Sequence, residues 1–289
     1  MSSARLRVSL LVIGDEILSG FVRDTNSGWL AERLRGLGIP LERIVTVGDD
    51  IAAIGEALHT ELARSRPRVV VTSGGIGTTP DDVTLEAVAV ALGHDLVEHP
   101  VLAARIDQVV AAGAARGVPL SEGHARSLRK MARVPDGATL LPGASGVAPG
   151  VVVELDGGVR DPDNAGGAAV VVLPGVPSEF RRLVEQAVEP ALLAGRGQPV
   201  HVAELQHDYP ESALTPVLDE VVAAYPDLTV GSYPGRRCTV RISGDEAQVE
   251  AAMAMVRRFV ADLDAEPTAA RARAAWRAGW SESEHDAQA

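Results

Sequence analysis

The chain has 289 residues, 46% of them hydrophobic, 23% charged and only 3% aromatic, with a formal net charge of −12. These values describe a globular protein of one large or two modest domains, with a core built from Val, Leu, Ile and Ala. The acidic balance and the scarcity of rings argue against non-specific binding to nucleic acid or to anionic membranes, and against base-stacking platforms.

Residues 6–13, LRVSLLVI, form an apolar run that stops at Gly14, as a strand buried on both faces does. The run is too short for a signal peptide and ends in an acidic pair, and no window reaches the ~18 apolar residues of a membrane span. A cytoplasmic location is expected. GDEILSG then reads as an acidic, hairpin-like excursion between Gly14 and Gly20. Asp24 or Thr25 caps a helix carrying Trp29, Leu30, Leu34 and Leu37 at helical spacing, stopped by Gly38.

LERIVTVGDD is the second strand, with Asp49 or Asp50 able to cap the amphipathic helix IAAIGEALHTELARSR. RVVVTSGG is the third strand, and DVTLEAVAVALG is a helix ended by Gly93. Alternation of strand and helix at this spacing predicts an α/β domain with a parallel sheet and helices on both faces. Ligands of such sheets bind outside the carboxyl ends of the strands. Three loops leave those ends, at 14–25, 48–50 and 73–82, and they hold most of the glycine and polar signal of the first hundred residues.

Residues 100–117 and 121–134 read as two helices, and ATLLP and PGVVVEL as short strands. DGGVRDPDNAGGAA is a turn-rich connection before the buried strand AVVVLPG. VPSEFRRLVEQAVEPALL begins a helix with Pro177 in its first turn, where Ser178 or Glu179 can serve the N-terminus. After the linker AGRGQP comes a small α+β unit: a strand, a helix at 211–224, strands at LTVGSYP and RCTVRISG, and a helix at EAQVEAAMAMVRRFVADL. The single cysteine, Cys238, excludes an intrachain disulfide, and its alternating strand context makes it a buried small hydrophobe. A helical or disordered tail with Trp276 and Trp280 ends the chain.

The stretch VTSGGIGTTPDDVT, residues 71–84, concentrates the chemical signal. Glycines at 74, 75 and 77 allow close backbone approach, and the next helix starts with free N–H groups, a combination suited to phosphate. It lacks the Gly-Lys-Ser/Thr of a P-loop and the spacing of a dinucleotide fingerprint. Asp81 and Asp82 would repel a bare phosphate, which a divalent cation between carboxylate and phosphate would reconcile. Taken alone, the stretch is equally a turn in which Thr79, Asp81 and Asp82 cap the following helix. Lys130 is the chain's single lysine, and with Arg126 and Arg133 it reads as a solvated helical stripe or a phosphate contact. The seven histidines form no metal-binding pattern, and His207 and His124 are the two whose surroundings matter most.

Five motifs in order, GDEILSGFVRDTN, TVGDD, TSGGIGTTPDDVT, GVAPG and LPGVPSEF, resemble the CinA N-terminal family of the molybdopterin-binding (molybdenum cofactor biosynthesis) superfamily. GDEIL, GGIGTTPDDVT and RKMARVPDGA look nearest the pterin-binding-like domain fused to some FAD synthases. ESALTPVLDEV and GSYPGRRCTVRISG resemble that family's next subdomain, so the likeness reaches about residue 265.

The resemblance implies a three-layer molybdopterin-binding-like α/β domain with a mostly parallel sheet over 1–193. A small α+β subdomain over 200–265 and the tail 266–289 would follow. It implies a homo-oligomer and a nucleotide diphosphate or pterin phosphate as ligand. It also implies metal-dependent hydrolysis of ADP-ribose or FAD, or non-hydrolytic binding of molybdopterin or a nucleotide. The functional carboxylates carried over are Asp82 and Asp49, expected to hold a divalent cation (Mg, Mn or Co), with Asp81 beside them and a monovalent cation as an optional second ion. The expected ligand-binding residues are Ser73, Gly74, Gly75, Gly77, Thr78 and Thr84 in the glycine loop, with Asp24, Asn26 and Lys130, and Gly175, Pro177, Ser178 and Glu179 from LPGVPSEF. The amidase domain that follows in many CinA proteins and the nucleotidyltransferase domain of FAD synthases are not in these 289 residues, so neither activity is carried over.

Overall fold

The computed structural model describes residues 5–118, 120–141, 148, 150–198, 200–235, 237–266, 268 and 273–274. Contacts divide the chain into two units, Met1–Gln198 and Pro199–Ala289. In the first, β1 (Arg7–Ile13) leads through the short helix α1 (Asp15–Leu18) to α2 (Asn26–Gly36), β2 (Leu41–Val47), α3 (Ile51–Leu62), β3 (Arg68–Ser73) and α4 (Thr84–Leu92). There follow β4 (Leu96–Glu98), α5 (Pro100–Ala115), α6 (Glu122–Lys130), β5 (Arg133–Pro135), β6 (Thr139–Leu140), β7 (Val151–Leu155), β8 (Ala168–Leu173) and α7 (Pro177–Leu183).

Six strands form one sheet in the order β2-β1-β3-β8-β7-β6, in which β2, β1, β3 and β8 run parallel, β7 pairs antiparallel with β8, and β6 pairs antiparallel with β7. The near-continuous aliphatic runs of β1, β3 and β8 follow from burial on both faces. Alternate residues divide between two cores. Leu10, Val12, Val69, Val71, Val171 and Leu173 meet Leu30 and Leu34 of α2 and Phe180 and Leu183 of α7. Leu11, Val70, Val170 and Val172 meet Leu58 of α3, Val88 of α4 and Ile106 of α5. Helices, sheet and helices make the three layers expected from the sequence.

Arg68 and Glu61, 0% and 1% exposed, are buried together. Arg68 donates to Ser9 Oγ (2.6 Å), Glu42 Oε2 (2.5 Å) and Ser65 O (3.1 Å), and Ser9 Oγ donates to Glu61 Oε2 at 2.6 Å. Partnered on several sides, these charges satisfy the condition under which burial is tolerated.

Three local expectations are corrected. GDEILSG is not a hairpin but contains the helical turn α1. The helix expected to run to residue 134 stops at Lys130, because Arg133–Pro135 pairs as β5 with β4, a strand the sequence reading does not mark. Pieces of three residues are too short to show a period. At LPGVPSEF, Pro177 does sit in the first turn, but neither Ser178 nor Glu179 caps the helix, whose N-cap is Val176. That helix continues as a π-helix over Val184–Leu193, where Pro190 has no N–H to donate.

In the second unit, β9 (His201–His207), α8 (Glu211–Ala224), β10 (Thr229–Tyr233), β11 (Cys238–Gly244) and α9 (Glu246–Ala265) follow the predicted order. The antiparallel sheet, ordered β10-β11-β9, turns Val240 and Ile242 onto Leu214, Val217, Val249 and Met253 of the two helices. Cys238 is fully buried, as its strand pattern predicts. Trp276 and Trp280, and most of GVAPG, lie outside the described residues.

Candidate functional site at the carboxyl ends of the parallel strands

All four parallel strands release a loop at the same edge of the sheet: Gly14 after β1, Gly48–Asp50 after β2, Gly74–Asp82 after β3 and Pro174–Val176 after β8. The β3 loop needs its first two glycines. Gly74 and Gly75 have φ of 110° and 66°, and a Cβ would lie 2.2 Å from Ile13 O at Gly74 and 2.2 Å from Thr84 Oγ1 at Gly75. Thr84, the first residue of α4, closes the loop: its Oγ1 donates to Gly74 O (2.9 Å) and its N–H to Gly75 O (3.0 Å). The helix-capping role open to Thr79, Asp81 and Asp82 is not used, since the N-cap is Val83 without a side-chain bond. Instead Asp82 Oδ2 accepts from the Thr79 amide at 2.8 Å and from the Thr79 hydroxyl.

Lys130 belongs to this loop and not to a solvated stripe. Its Nζ donates to Thr79 O at 2.6 Å, while Arg133, outside the helix, donates to Leu96 O at 3.3 Å. After β2 the two aspartates divide their work. Asp50 caps α3 by accepting from Ala53 N at 2.8 Å, and Asp49 Oδ2 accepts from Asp15 N at 2.8 Å.

The carboxylates here perturb one another. Burial, with Glu16, Asp15 and Asp81 adding repulsion, pushes the Asp49 carboxyl above its ordinary range against the pull of the Asp15 amide. The Thr79 hydroxyl, then Asp81's own amide and the Lys130 ammonium, hold Asp81 below it. That hydroxyl stands between Asp81 and Asp82 and has one proton to give.

On the other flank Asp24 Oδ1, one residue before the N-cap Thr25, accepts from the first two amides of α2, those of Asn26 (2.9 Å) and Ser27 (3.1 Å). Asn26, 4% exposed, donates through Nδ2 to Ser73 Oγ and Gly175 O, both at 2.9 Å. A carbonyl can only accept, so the amide orientation is fixed and Oδ1 is left as a buried acceptor without a partner.

Two clefts flank the loop. One, of about 90 Å³, is lined by Asp24, Asn26, Ser73, Gly74, Gly175 and Pro177, together with Glu16 of α1. The other, of about 180 Å³, is lined by Gly77, Asp82 and Lys130 over Ile76, Leu85 and Met131. Gly75 and Thr84 shape the loop between them, while Thr78, Ser178 and Glu179 line neither. Glu16, Ile76, Leu85 and Met131 are missed by sequence reasoning. Only Glu16, beside Gly14 at a strand's carboxyl end, carries a signal that could have found it.

Among the described residues, no three His, Cys, Asp or Glu side chains are grouped to hold an ion unaided, and no helix is long and apolar enough to cross a membrane. The acidic side chains at this edge are carboxylates, which suit a hard cation that takes one or two of them and completes its shell with phosphate and water.

Known proteins share this architecture. The protein family described as "Probable molybdopterin binding domain" matches residues 9–194, and the middle domain of FAD synthase matches residues 199–265. A protein of Aeropyrum pernix is 39% identical over 272 residues, covering 89% of this chain and 94% of the relative. A CinA-like protein of Myxococcus xanthus is 42% identical over 189 residues, which are 65% of this chain and 40% of that longer protein. The crystal structure of the protein CinA from Thermoplasma acidophilum is 31% identical, with a TM-score of 0.50 over 64% of this chain and 96% of that one. The chain is therefore a member of the molybdopterin-binding domain family, of the CinA type, and its residues 199–265 are similar to the middle domain of FAD synthase.

Proposed function

We propose that the first unit is a divalent-metal-dependent nucleotide pyrophosphatase that cleaves the phosphoanhydride of ADP-ribose or a related dinucleotide such as FAD. One observation carries this reading. The glycine loop that begins at Gly74 and Gly75 lies at the same sheet edge as Asp49, Asp81 and Asp82, delivered by β2 and β3 on either side of β1. Asp49 suffers repulsion from Glu16, Asp15 and Asp81, which a cation would relieve.

Asp49 and Asp82 would hold the ion, whose chemistry when bound is to neutralise phosphate charge and lower the pKa of water. The chain's own contribution is positional. Gly74 and Gly75 let the loop fold tightly onto Ile13 O and Thr84 at the strand ends, Lys130 fixes it through Thr79 O, and Thr79 keeps the Asp82 carboxylate in place. The reading includes a homo-oligomer, supported by β2 ending the sheet with Ile44 47% exposed.

A second reading, non-hydrolytic binding of molybdopterin or a nucleotide, is favoured by Asp82 being turned onto Thr79. Release of AMP from ADP-ribose, FAD and NAD with Mg²⁺, Mn²⁺ or Co²⁺ decides between them. Hydrolysis that is lost in both Asp82→Asn and Asp49→Asn supports the enzyme. No AMP with any metal, alongside calorimetric binding of a pterin phosphate, replaces it with the second reading.

A further inference from the structure

We propose that the cleft floored by Ile76, Leu85 and Met131 is a nucleobase site. The ligand would then lie across the glycine loop, with its base on one side and its terminal sugar on the other. This rests on the reading above, in which a diphosphate sits at Gly74 and Gly75, and adds which half of the molecule goes where.

Both clefts are lined in part by apolar side chains and differ in their polar groups. The floor residues Ile76, Leu85 and Met131 are 4%, 7% and 5% exposed, and half-buried Leu96 forms a further wall. An apolar slot of this kind takes a flat heterocycle, and a thioether packs well on a ring. Its rim carries both signs: Asp82 and Glu86 accept hydrogen bonds, Lys130 and Arg133 donate them. A purine edge, with an amino group beside ring nitrogens, needs both. Lys130, bonded to Thr79 O, stands where this cleft meets the loop, so a phosphate chain leaving the loop toward the slot passes an ammonium group.

The opposite cleft is half the size and presents a mixed polar lining that includes Arg23 and one buried acceptor. Asn26 Oδ1 has no partner, and the carboxylates of Asp24 and Glu16 stand beside it. An unpaired amide oxygen flanked by two carboxylates suits the hydroxyls of a sugar, and the Arg23 guanidinium on the same lining suits the sugar's oxygens or its phosphate. A donor reaching Asn26 Oδ1 would satisfy an atom that is otherwise buried unpaired.

Calorimetry on the full chain with Mg²⁺ tests this, using AMP, ribose 5-phosphate and ADP-ribose as probes. Leu96→Trp narrows the slot, and Arg133→Ala, on its exposed rim, repeats the test with little risk to the fold. Leu96→Trp is expected to weaken AMP and ADP-ribose on the order of tenfold and ribose 5-phosphate by less than about twofold. Asn26→Leu should do the reverse, weakening ribose 5-phosphate and ADP-ribose more than AMP. AMP affinity unchanged in both slot variants, with wild type binding ADP-ribose, overturns the base assignment and leaves the proposed function standing. Equal loss of AMP and ribose 5-phosphate in Leu96→Trp overturns it too. Wild type that takes up none of the three phosphates removes both proposals together.

Discussion

Gly75 and Thr84 give the sharpest test of how the phosphate loop is built. In Gly75→Ala the new methyl meets two separate penalties. The first is conformational: at φ 66° a residue with a Cβ pays about 1–2 kcal/mol. The second is steric: the Cβ would stand 2.2 Å from Thr84 Oγ1, which must swing away and give up its bond to Gly74 O. Thr84 is fully buried, so a carbonyl stranded there costs about 1–3 kcal/mol. The single substitution should therefore destabilise the first unit by about 2–5 kcal/mol. Thr84→Ala alone loses the bond and costs about 1–3 kcal/mol. In the double variant the steric penalty has already been taken, so adding Gly75→Ala should cost only about 1–2 kcal/mol. Urea unfolding followed by far-UV circular dichroism measures the four corners of this cycle. A coupling of about 1–3 kcal/mol is expected, and additivity within about 0.5 kcal/mol would show that Thr84 does not oppose a side chain at Gly75.

Two further predictions concern the scaffold. Glu61→Ala removes one partner of buried Arg68 and should cost about 3 kcal/mol, the low end for a broken buried pair because Glu42 still holds the guanidinium. An unfolding midpoint indistinguishable from wild type would refute this. In the second unit, burial holds His207 below its ordinary 6.5, with Asp208, the Tyr209 amide and Glu211 opposing the shift and Arg237 assisting it. The unfolded chain therefore binds a proton that the folded His207 refuses. The unit's stability should be full above pH 6.5 and fall as pH drops from there toward the lowered value. His207→Gln should flatten that fall in urea titrations between pH 7.5 and 5.5, and an unchanged slope would assign it elsewhere.

Sequence and structure agree where the physics is repetitive. β1, β3 and β8 are legible because burial on both faces demands unbroken aliphatic runs. The glycine loop is legible because its backbone conformation excludes most side chains. β4 and β5 hide because three residues carry no periodicity, and α1 hides because a single turn does not either. The destination of Lys130 hides for another reason: helical spacing groups it with Arg126 and Arg133, whereas its partner is a carbonyl 51 residues away. Ile76, Leu85 and Met131 look like core in the sequence, because an apolar cleft floor and an apolar core are written with the same residues. Asn26 is visible as a polar residue at a helix start, but its bond to Gly175 spans 149 positions.

The place of β8 has a consequence for the order in which the protein is made. It is the last strand of the first unit to be synthesised, yet it sits between β3 and β7, both completed earlier. In the finished sheet β3 and β7 are joined only through residues 168–173, so neither has its β8 partner until that segment has left the ribosome. Gly175, which fixes the Asn26 amide, follows directly behind. Closure of the sheet and completion of the Asn26 cleft are thus a single late event, and a nascent chain stalled before β8 exposes strand edges open to wrong pairing.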